Sequence, residues 1–455
     1  MMSLRPEASR PHAFEWPLAL LIVILGAAAS IWLFFPGIAT HDVIAVYDQA
    51  YAGVFGDWQP PLLGWGWKQL EPWIGYGPSA LFLPTVAIYW TAFLIVFVAL
   101  RRSSAVAWLV LIIAFLPPLT AILGVLWRDV MFAACWLLAF GLVLLARDAQ
   151  ALVRIVAFLV ALAFFMVGFL IRPNALFAAA PLLVYLLWPR RFLWKRLILV
   201  GVPAIVVLQL ASNFVNYTWL QAKRENAIHS VFVFDLTGIT HFADRNVFPI
   251  DDWTPDQIEK VKTICYEPTY WDAIWWPDCS FAMARINRDE PKGTKLFGSE
   301  TLQRAWLRAI MSHPVAYVQH RYAYFEALMT ARMMVVFNQS ASGQHRFFFV
   351  RSGHFSLFEN GMAWLNENTP TFRGFPWLIL TGLVFLLSLR WRDGGLKAAT
   401  LSLSISGLVY TLTYFVFGVA AEYRYVYWTA MTGLVGLCLV AVYWAEQRRK
   451  PINSL

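Results

Sequence analysis

The chain has 455 residues, of which 59% are hydrophobic and only 14% charged, with a net charge of +9 and a mean hydropathy of +0.57. Soluble domains carry about 25% charged residues. The composition therefore excludes a soluble globular fold and implies an all-α polytopic membrane protein. A surplus of basic residues can mark a nucleic-acid partner, but here the positives sit in short loops between apolar runs, so membrane topology explains them and no nucleic acid is expected.

About ten runs approach the roughly 20 apolar residues that cross a bilayer. They fall at 16–36, 79–100, 104–122, 130–146, 153–171, 174–189, 197–215, 374–390, 398–419 and 425–445. The first, from Trp16, is too long for a signal peptide and has no small-residue cleavage site after it, so an uncleaved anchor is expected. Pro117-Pro118 and Pro181 interrupt the third and sixth runs, which neighbouring helices can tolerate. With the N-terminus cytoplasmic, one face collects Arg5, Arg10, Arg101, Arg102, Arg147, Arg154, Arg190, Arg191, Lys195, Arg196, Arg390, Arg392, Lys397, Arg448, Arg449 and Lys450; the short loops of the other carry Lys68, Arg128, Arg172 and Arg424. This bias places both termini in the cytoplasm and 37–78 and 216–373 outside.

Three parts follow. Residues 1–215 form a membrane bundle of about seven spans with a first outer loop at 37–78, residues 216–373 a mixed, mostly helical extracytoplasmic domain, and residues 374–455 about three further spans. In the outer domain, Thr254 followed by Pro255, Asp256 and Gln257 reads as a capped helix start. Apolar residues at helical spacing predict a longer helix from Ser299 to about Phe337, broken at His313-Pro314. Cys265 and Cys279 lie in this outer segment, where an oxidising compartment would join them; two free thiols are the other reading. Cys135 and Cys438 lie inside apolar runs as packing residues. Many of the 23 tryptophans flank spans, among them Trp58, Trp65, Trp67, Trp73, Trp275, Trp276 and Trp428. They read either as an interfacial belt or as stacking platforms for sugars or a lipid chain.

The charges at the outer ends of the spans carry the chemistry. Thr40-His41-Asp42 follows the first span directly, and Asp57-Trp58-Gln59-Pro60-Pro61 comes soon after, with paired prolines stiffening the turn. Lys68, Arg128-Asp129, Arg172 and Glu422-Tyr423-Arg424 occupy the other outer ends, while the spans themselves are nearly free of charge. Guanidinium groups suit phosphate oxygens, and a carboxylate suits a general base that takes a proton from a hydroxyl. Together they fit displacement of a lipid phosphate by a sugar hydroxyl. Each also has a plainer reading: Arg128 and Asp129 as a pair at a helix start, Arg172-Pro173-Asn174 as a turn, Arg424 as a partner for Glu422, Asp57 as a turn cap. His41 alone reads as a metal ligand, an orienter of Asp42, or only a hydrogen-bonding group.

This order of motifs resembles the GT-C superfamily of polytopic glycosyltransferases, in its protein mannosyltransferase and aminoarabinose transferase branch. The resemblance rests on His41-Asp42 after the first span, on Asp57-Trp58-Gln59-Pro60-Pro61, where Gln59 replaces the usual histidine, and on Trp127-Arg128-Asp129, Arg172-Pro173-Asn174 and Glu422-Tyr423-Arg424-Tyr425, which are similar to stretches in bacterial members. It covers the first seven spans best. It implies an inverting glycosyltransferase of the bacterial inner membrane that moves a sugar from a polyprenyl-phosphate donor to a surface glycan or glycolipid, with the site facing outward. It implies Asp42 as catalytic base and Arg128, Arg172, Arg424 and Lys68 at the donor phosphate, with His41, Asp57, Asp129 and Glu422 beside them. A divalent metal is left open. The competing readings are a lipid-linked glycan transporter or flippase, against which the lack of paired halves and deep charges speaks, and a polysaccharide polymerase or ligase.

Overall fold

A computed structural model describes residues 15–75, 77–101, 105–332 and 353–448. Arg5, Arg10, Arg102, Arg449 and Lys450 of the basic face, and the end of the helix expected to reach Phe337, lie outside the described residues. Among those described, the backbone is helical and its only β pairings are isolated bridges.

The helices, in chain order, are α1 (Glu15–Phe34), α2 (His41–Ala52), α3 (Pro61–Ile74), α4 (Ser79–Leu100), α5 (Ala105–Ile113), α6 (Pro117–Thr120), α7 (Arg128–Ala146), α8 (Ala151–Ile171), α9 (Leu176–Leu187) and α10 (Trp194–Asn213). There follow α11 (His229–Phe242), α12 (Pro255–Thr263), α13 (Ser280–Asn287), α14 (Glu300–Ser312), α15 (Pro314–Thr330), α16 (Gly353–Asn368), α17 (Phe375–Leu389), α18 (Gly395–Phe417) and α19 (Tyr427–Arg448).

Seven segments among the described residues are long and apolar enough to cross a membrane: α1, α4, α7, α8, α10 with the π turn to Trp219, α18, and Tyr423–Arg448. Two of the other expected runs are shorter apolar helices, Pro173–Leu187 and Phe375–Leu389. The run at 104–122 is broken: α5 stops at Ile113 and the chain restarts as α6 at Pro117, because the residue before a proline is driven out of the helical region. The fold is thus an all-α, polytopic membrane protein.

Burial sorts the spans. α7 and α19 are enclosed by their neighbours, whereas α1, α8 and α10 turn most of their apolar surface outward. On α8 the outward side chains are Leu152, Ile155, Val156 and Leu159, and on α10 Ile198, Leu199, Val202 and Val206. Nothing but lipid suits so much exposed aliphatic surface. With no hydrophobic drive between spans inside a bilayer, close approach and polar contacts hold the bundle. α18 and α19 meet at Gly407, where an added Cβ would stand 1.9 Å from the Thr432 hydroxyl. Around it Thr429 Oγ1 donates to Gly407 O at 2.6 Å, Thr381 Oγ1 to Thr429 O at 3.0 Å, and Trp428 Nε1 to Ser406 Oγ at 3.0 Å.

The stretch 37–78 is more than a loop, since it folds into α2 and α3. Pro60 is extended and Pro61 takes the first position of α3, where a missing N–H costs nothing. Residues 36–40 run beside 124–126, with Ile38 N bonded to Gly124 O at 2.8 Å and Leu126 N to Ile38 O at 3.1 Å. Gly37 turns the chain into this pairing with φ +114°, a value that side chains rarely adopt.

The segment between α10 and α17 has its own core, built around α11, which is buried almost throughout. Thr254 caps α12 with Gln257 in a reciprocal capping box. α14 and α15 break at His313-Pro314 and pack on α11. Cys265 and Cys279 are bonded. Cross-linking over 14 residues is worth about 3 kcal/mol in the chain-entropy account, so Cys279→Ala is expected to lower the unfolding temperature in a thermal melt, with an effect of that size. α16 leaves this core and lies on α1, with His354 stacked on Trp32 at 3.9 Å.

Candidate functional site

The pairing of residues 36–40 with 124–126 brings Asp42, in the first turn of α2, beside Arg128, the first residue of α7. Trp127 Nε1 donates to Thr40 Oγ1 at 3.0 Å and fixes this junction. From the other end of the chain, a 3₁₀ turn over Tyr423–Val426 carries Arg424 in. Arg424 Nη1 lies 2.7 Å from Asp42 Oδ2, its Nε contacts Glu422, and its guanidinium sits over the Trp127 ring at 4.7 Å.

Gln59 links the first pair to the second cation. Its amide N donates to Asp42 Oδ1 at 3.4 Å and its amide O accepts from Arg128 Nη1 at 3.0 Å. Asp42, Gln59, Trp127, Arg128 and Arg424 line a shallow cleft whose apolar wall includes Val43, Val46 and Leu63. Its free space is about 10 Å³, room for no more than a water. A sugar phosphate can enter only by displacing the side chains that now fill it.

Arg172 and Asp129 lie behind this cleft. Arg172 Nη2 is 2.8 Å from Asp129 Oδ1, and both side chains are only 1% exposed. Tyr414 and Tyr410, from α18, accept from Arg172 Nη2 at 2.6 Å and Nε at 3.3 Å, and Tyr410 OH donates to Asp129 Oδ1 at 3.3 Å. The Arg172 and Arg424 guanidiniums lie over the same Tyr425 ring, at 5.3 and 5.1 Å. Arg172 therefore supports the cleft from behind through Tyr425 and does not line it.

The remaining expected residues divide. Glu422 joins the cleft through Arg424. His41 is exposed on the first turn of α2, near enough for its charge to favour ionised Asp42. Asp57 is turned away: its carboxylate accepts from Tyr217 OH at 2.7 Å and from Glu225 N at 2.6 Å, tying the loop to residues 217–225. Lys68 is exposed beside Gly53, at the end of α2. The structure brings together Asp42, Arg128, Glu422 and Arg424, and separates Asp57 and Lys68 from them.

Gln59 gave no functional signal in the sequence, and it now stands between a carboxylate and a guanidinium, where a neutral donor–acceptor suits both. Asp272, in the 3₁₀ turn Trp271–Trp275, had no signal; Asp42 acts on its ionisation. Burial and that neighbouring charge push Asp272 above the ordinary carboxylate range, against the pull of Arg424 and His41. Burial likewise raises Glu422 despite Arg424. For Asp42 burial acts upward, but Arg424, Arg128 and His41 outweigh it and leave the group below its ordinary value. Its pairing therefore stabilises the fold at all pH above the unfolded carboxylate value, and that stabilisation disappears as pH falls through the lower folded value.

The segment between α10 and α17 holds the Arg424 loop. Trp271 N bonds Val419 O at 2.8 Å and Ala421 N bonds Thr269 O at 2.6 Å. Arg321 Nη1 donates to Gly418 O at 2.7 Å, and Tyr324 OH to Ala420 O at 3.0 Å. Among the described residues no group of three or more His, Cys, Asp and Glu side chains is set to hold a metal ion.

No protein-family model and no curated protein matches the chain. Among solved structures it is similar to the crystal structure of ArnT from Cupriavidus metallidurans bound to undecaprenyl phosphate, at 15% identity, over 94% of this chain and 78% of that one, with a TM-score of 0.32.

Proposed function

We propose that the chain is a membrane glycosyltransferase that moves a sugar from a polyprenyl-phosphate donor to a surface glycan or glycolipid. The observation that carries this reading is the contact of Asp42 with Arg424, bridged through Gln59 to Arg128, at the ends of the spans where a lipid headgroup would lie.

In the resting protein Arg424 neutralises Asp42, which weakens it as a base. An arriving donor phosphate competes for the Arg424 and Arg128 guanidiniums. As Arg424 turns to the phosphate, the Asp42 carboxylate is released and its basicity rises. Asp42 then takes the proton of an acceptor hydroxyl as that oxygen bonds the anomeric carbon. The bond from this carbon to the phosphate oxygen breaks, and polyprenyl phosphate leaves with the electron pair. The guanidiniums stabilise the charge gathering on the departing phosphate. Direct displacement with one base gives inversion. Arg172 and Asp129 support this arrangement from behind, and His41 is the exposed neighbour of Asp42 on α2.

Gln59 keeps Asp42 and Arg128 in register. Gln59→Ala is expected to slow transfer by about tenfold, the scale of a lost hydrogen bond to a charged group, and to lower the unfolding temperature, because Gln59 is buried and bonds to both Asp42 and Arg128. Steady-state assays and a melt on the same protein check both halves.

The reading is tested by mass spectrometry of surface glycans and glycolipids from cells with the protein, without it, and with Asp42→Asn. It expects one sugar to be missing in the second and third cases. A glycan profile unchanged in all three refutes it.

A further inference from the structure

At the end of the bundle opposite Asp42, a second and larger cavity of about 430 Å³ opens between the ends of α4, α7 and α19 and the segment leading into α18. α7 runs from Arg128 to this cavity over 19 residues, which at ~1.5 Å per residue sets the two sites about 28 Å apart. The volume is that of a small-molecule site. Its floor is apolar, with Val98, Leu144 and Val442, and its rim is charged.

Four basic side chains line the rim, Arg101, Arg147, Arg392 and Lys397, against the acids Asp148, Asp393 and Glu446. Arg147 pairs with Asp148 at 3.0 Å and Lys397 with Asp393 at 3.4 Å, while Arg191 adds a further cation 3.5 Å from Asp393. Two guanidiniums are left over. Arg101 rests over the Trp16 ring at 4.9 Å, and Arg392 is exposed; among the described residues neither forms an ion pair. Arg147 is seated by Gly395, because a Cβ there would fall 2.5 Å from its Nη1.

We propose that this cavity binds a phosphate ester of net negative charge, with Arg101 and Arg392 gripping the phosphate oxygens while the apolar floor receives the carbon chain of its ester group. Guanidinium forks match phosphate geometry. A cavity between helix ends with two guanidiniums on its rim outside any ion pair among the described residues is placed to take the headgroup of an anionic phospholipid. The proposal does not depend on the activity proposed for the opposite end.

The full chain in zwitterionic micelles provides the test, by native mass spectrometry and thermal unfolding with added phosphatidylglycerol, with phosphatidylcholine, and with inorganic phosphate. Phosphatidylglycerol is expected to remain bound and raise the unfolding temperature, and phosphatidylcholine to do neither. In Arg101→Gln/Arg392→Gln the apparent affinity for phosphatidylglycerol is expected to fall about tenfold or more, the scale of losing charge-assisted hydrogen bonds. Arg101→Lys/Arg392→Lys, which keeps charge without the fork, is expected to fall between. Should the double variant not fold, Arg392→Gln alone, at an exposed position, carries the comparison. Equal effects of the two lipids, or unchanged phosphatidylglycerol binding in the glutamine variants, overturn the proposal. A shift of the same size with inorganic phosphate, lost in the glutamine variants, supports the site and assigns it to free phosphate; no shift with phosphate assigns it to the lipid.

Discussion

Asp42→Asn is expected to lower sugar transfer by about 10²–10⁴-fold, the range a general base contributes, while the protein still folds. The asparagine keeps one of the two oxygens, enough for Arg424 or for the Gln59 amide but not for both, and it cannot take a proton. Arg424 retains Glu422 and the Trp127 face, so its buried charge is not abandoned. Release of polyprenyl phosphate from a lipid-linked sugar, followed with purified protein, measures the loss. Because Asp42 sits below the ordinary carboxylate range, it is ionised at neutral pH, and the Asp42→Asn deficit is expected to be the same from about pH 6 to 8. A variant that keeps near wild-type turnover would remove Asp42 from the chemistry.

Arg321→Met is expected to cost about 3–5 kcal/mol of stability, the penalty for stranding one member of a buried ion pair. Arg321 Nη2 lies 2.6 Å from Asp235 Oδ1 with both side chains at 0% exposure. Asp235 also accepts from Trp306 Nε1 at 2.7 Å and lies 3.2 Å from His320 Nε2. Burial, with the nearby Arg321 charge, lowers the His320 value against the pull of Asp235, so in the intact protein Arg321 is the cation that balances Asp235. Adding Asp235→Leu to Arg321→Met is expected to recover part of the loss, since the stranded charge is gone. Thermal melts of the single and double variants check this; a single variant as stable as the wild type contradicts it. Transfer is expected to fall as well, because Arg321 holds the Gly418 carbonyl at the root of the loop that carries Arg424.

Both expectations show where sequence reading stops. Hydropathy alone finds α1, α4, α7, α8, α10, α18 and α19, because a bilayer demands long apolar runs and little else produces them. It also places the charged residues at the ends of spans. What it cannot rank is which of those charges share a space. Arg128 and Arg172 look equivalent as arginines beside a span, yet one reaches Gln59 and the other is sealed against Asp129 by Tyr410 and Tyr414. Those tyrosines sit in an apolar run with nothing to mark them. Asp57 reads as a site residue from its motif, but its partners, Tyr217 and Glu225, lie 160 and 168 positions away. Gln59 reaches Asp42, and Asp272 comes within range of its charge, through folding of α2, α3 and the segment between α10 and α17, a proximity with no local periodicity. The clamp of Arg321 and Tyr324 on residues 418–420 joins parts of the chain nearly a hundred residues apart and leaves no trace in either.

The competition of a donor phosphate with Asp42 for Arg424 is most directly tested by titrating the purified protein with polyprenyl phosphate and reading occupancy by native mass spectrometry. Wild type is expected to bind, Arg128→Gln and Arg424→Gln to bind about tenfold more weakly or worse, and Asp42→Asn to bind at least as tightly as wild type, since the competing carboxylate charge is gone. Binding that ignores both arginines, or that is lost in Asp42→Asn, would contradict the account.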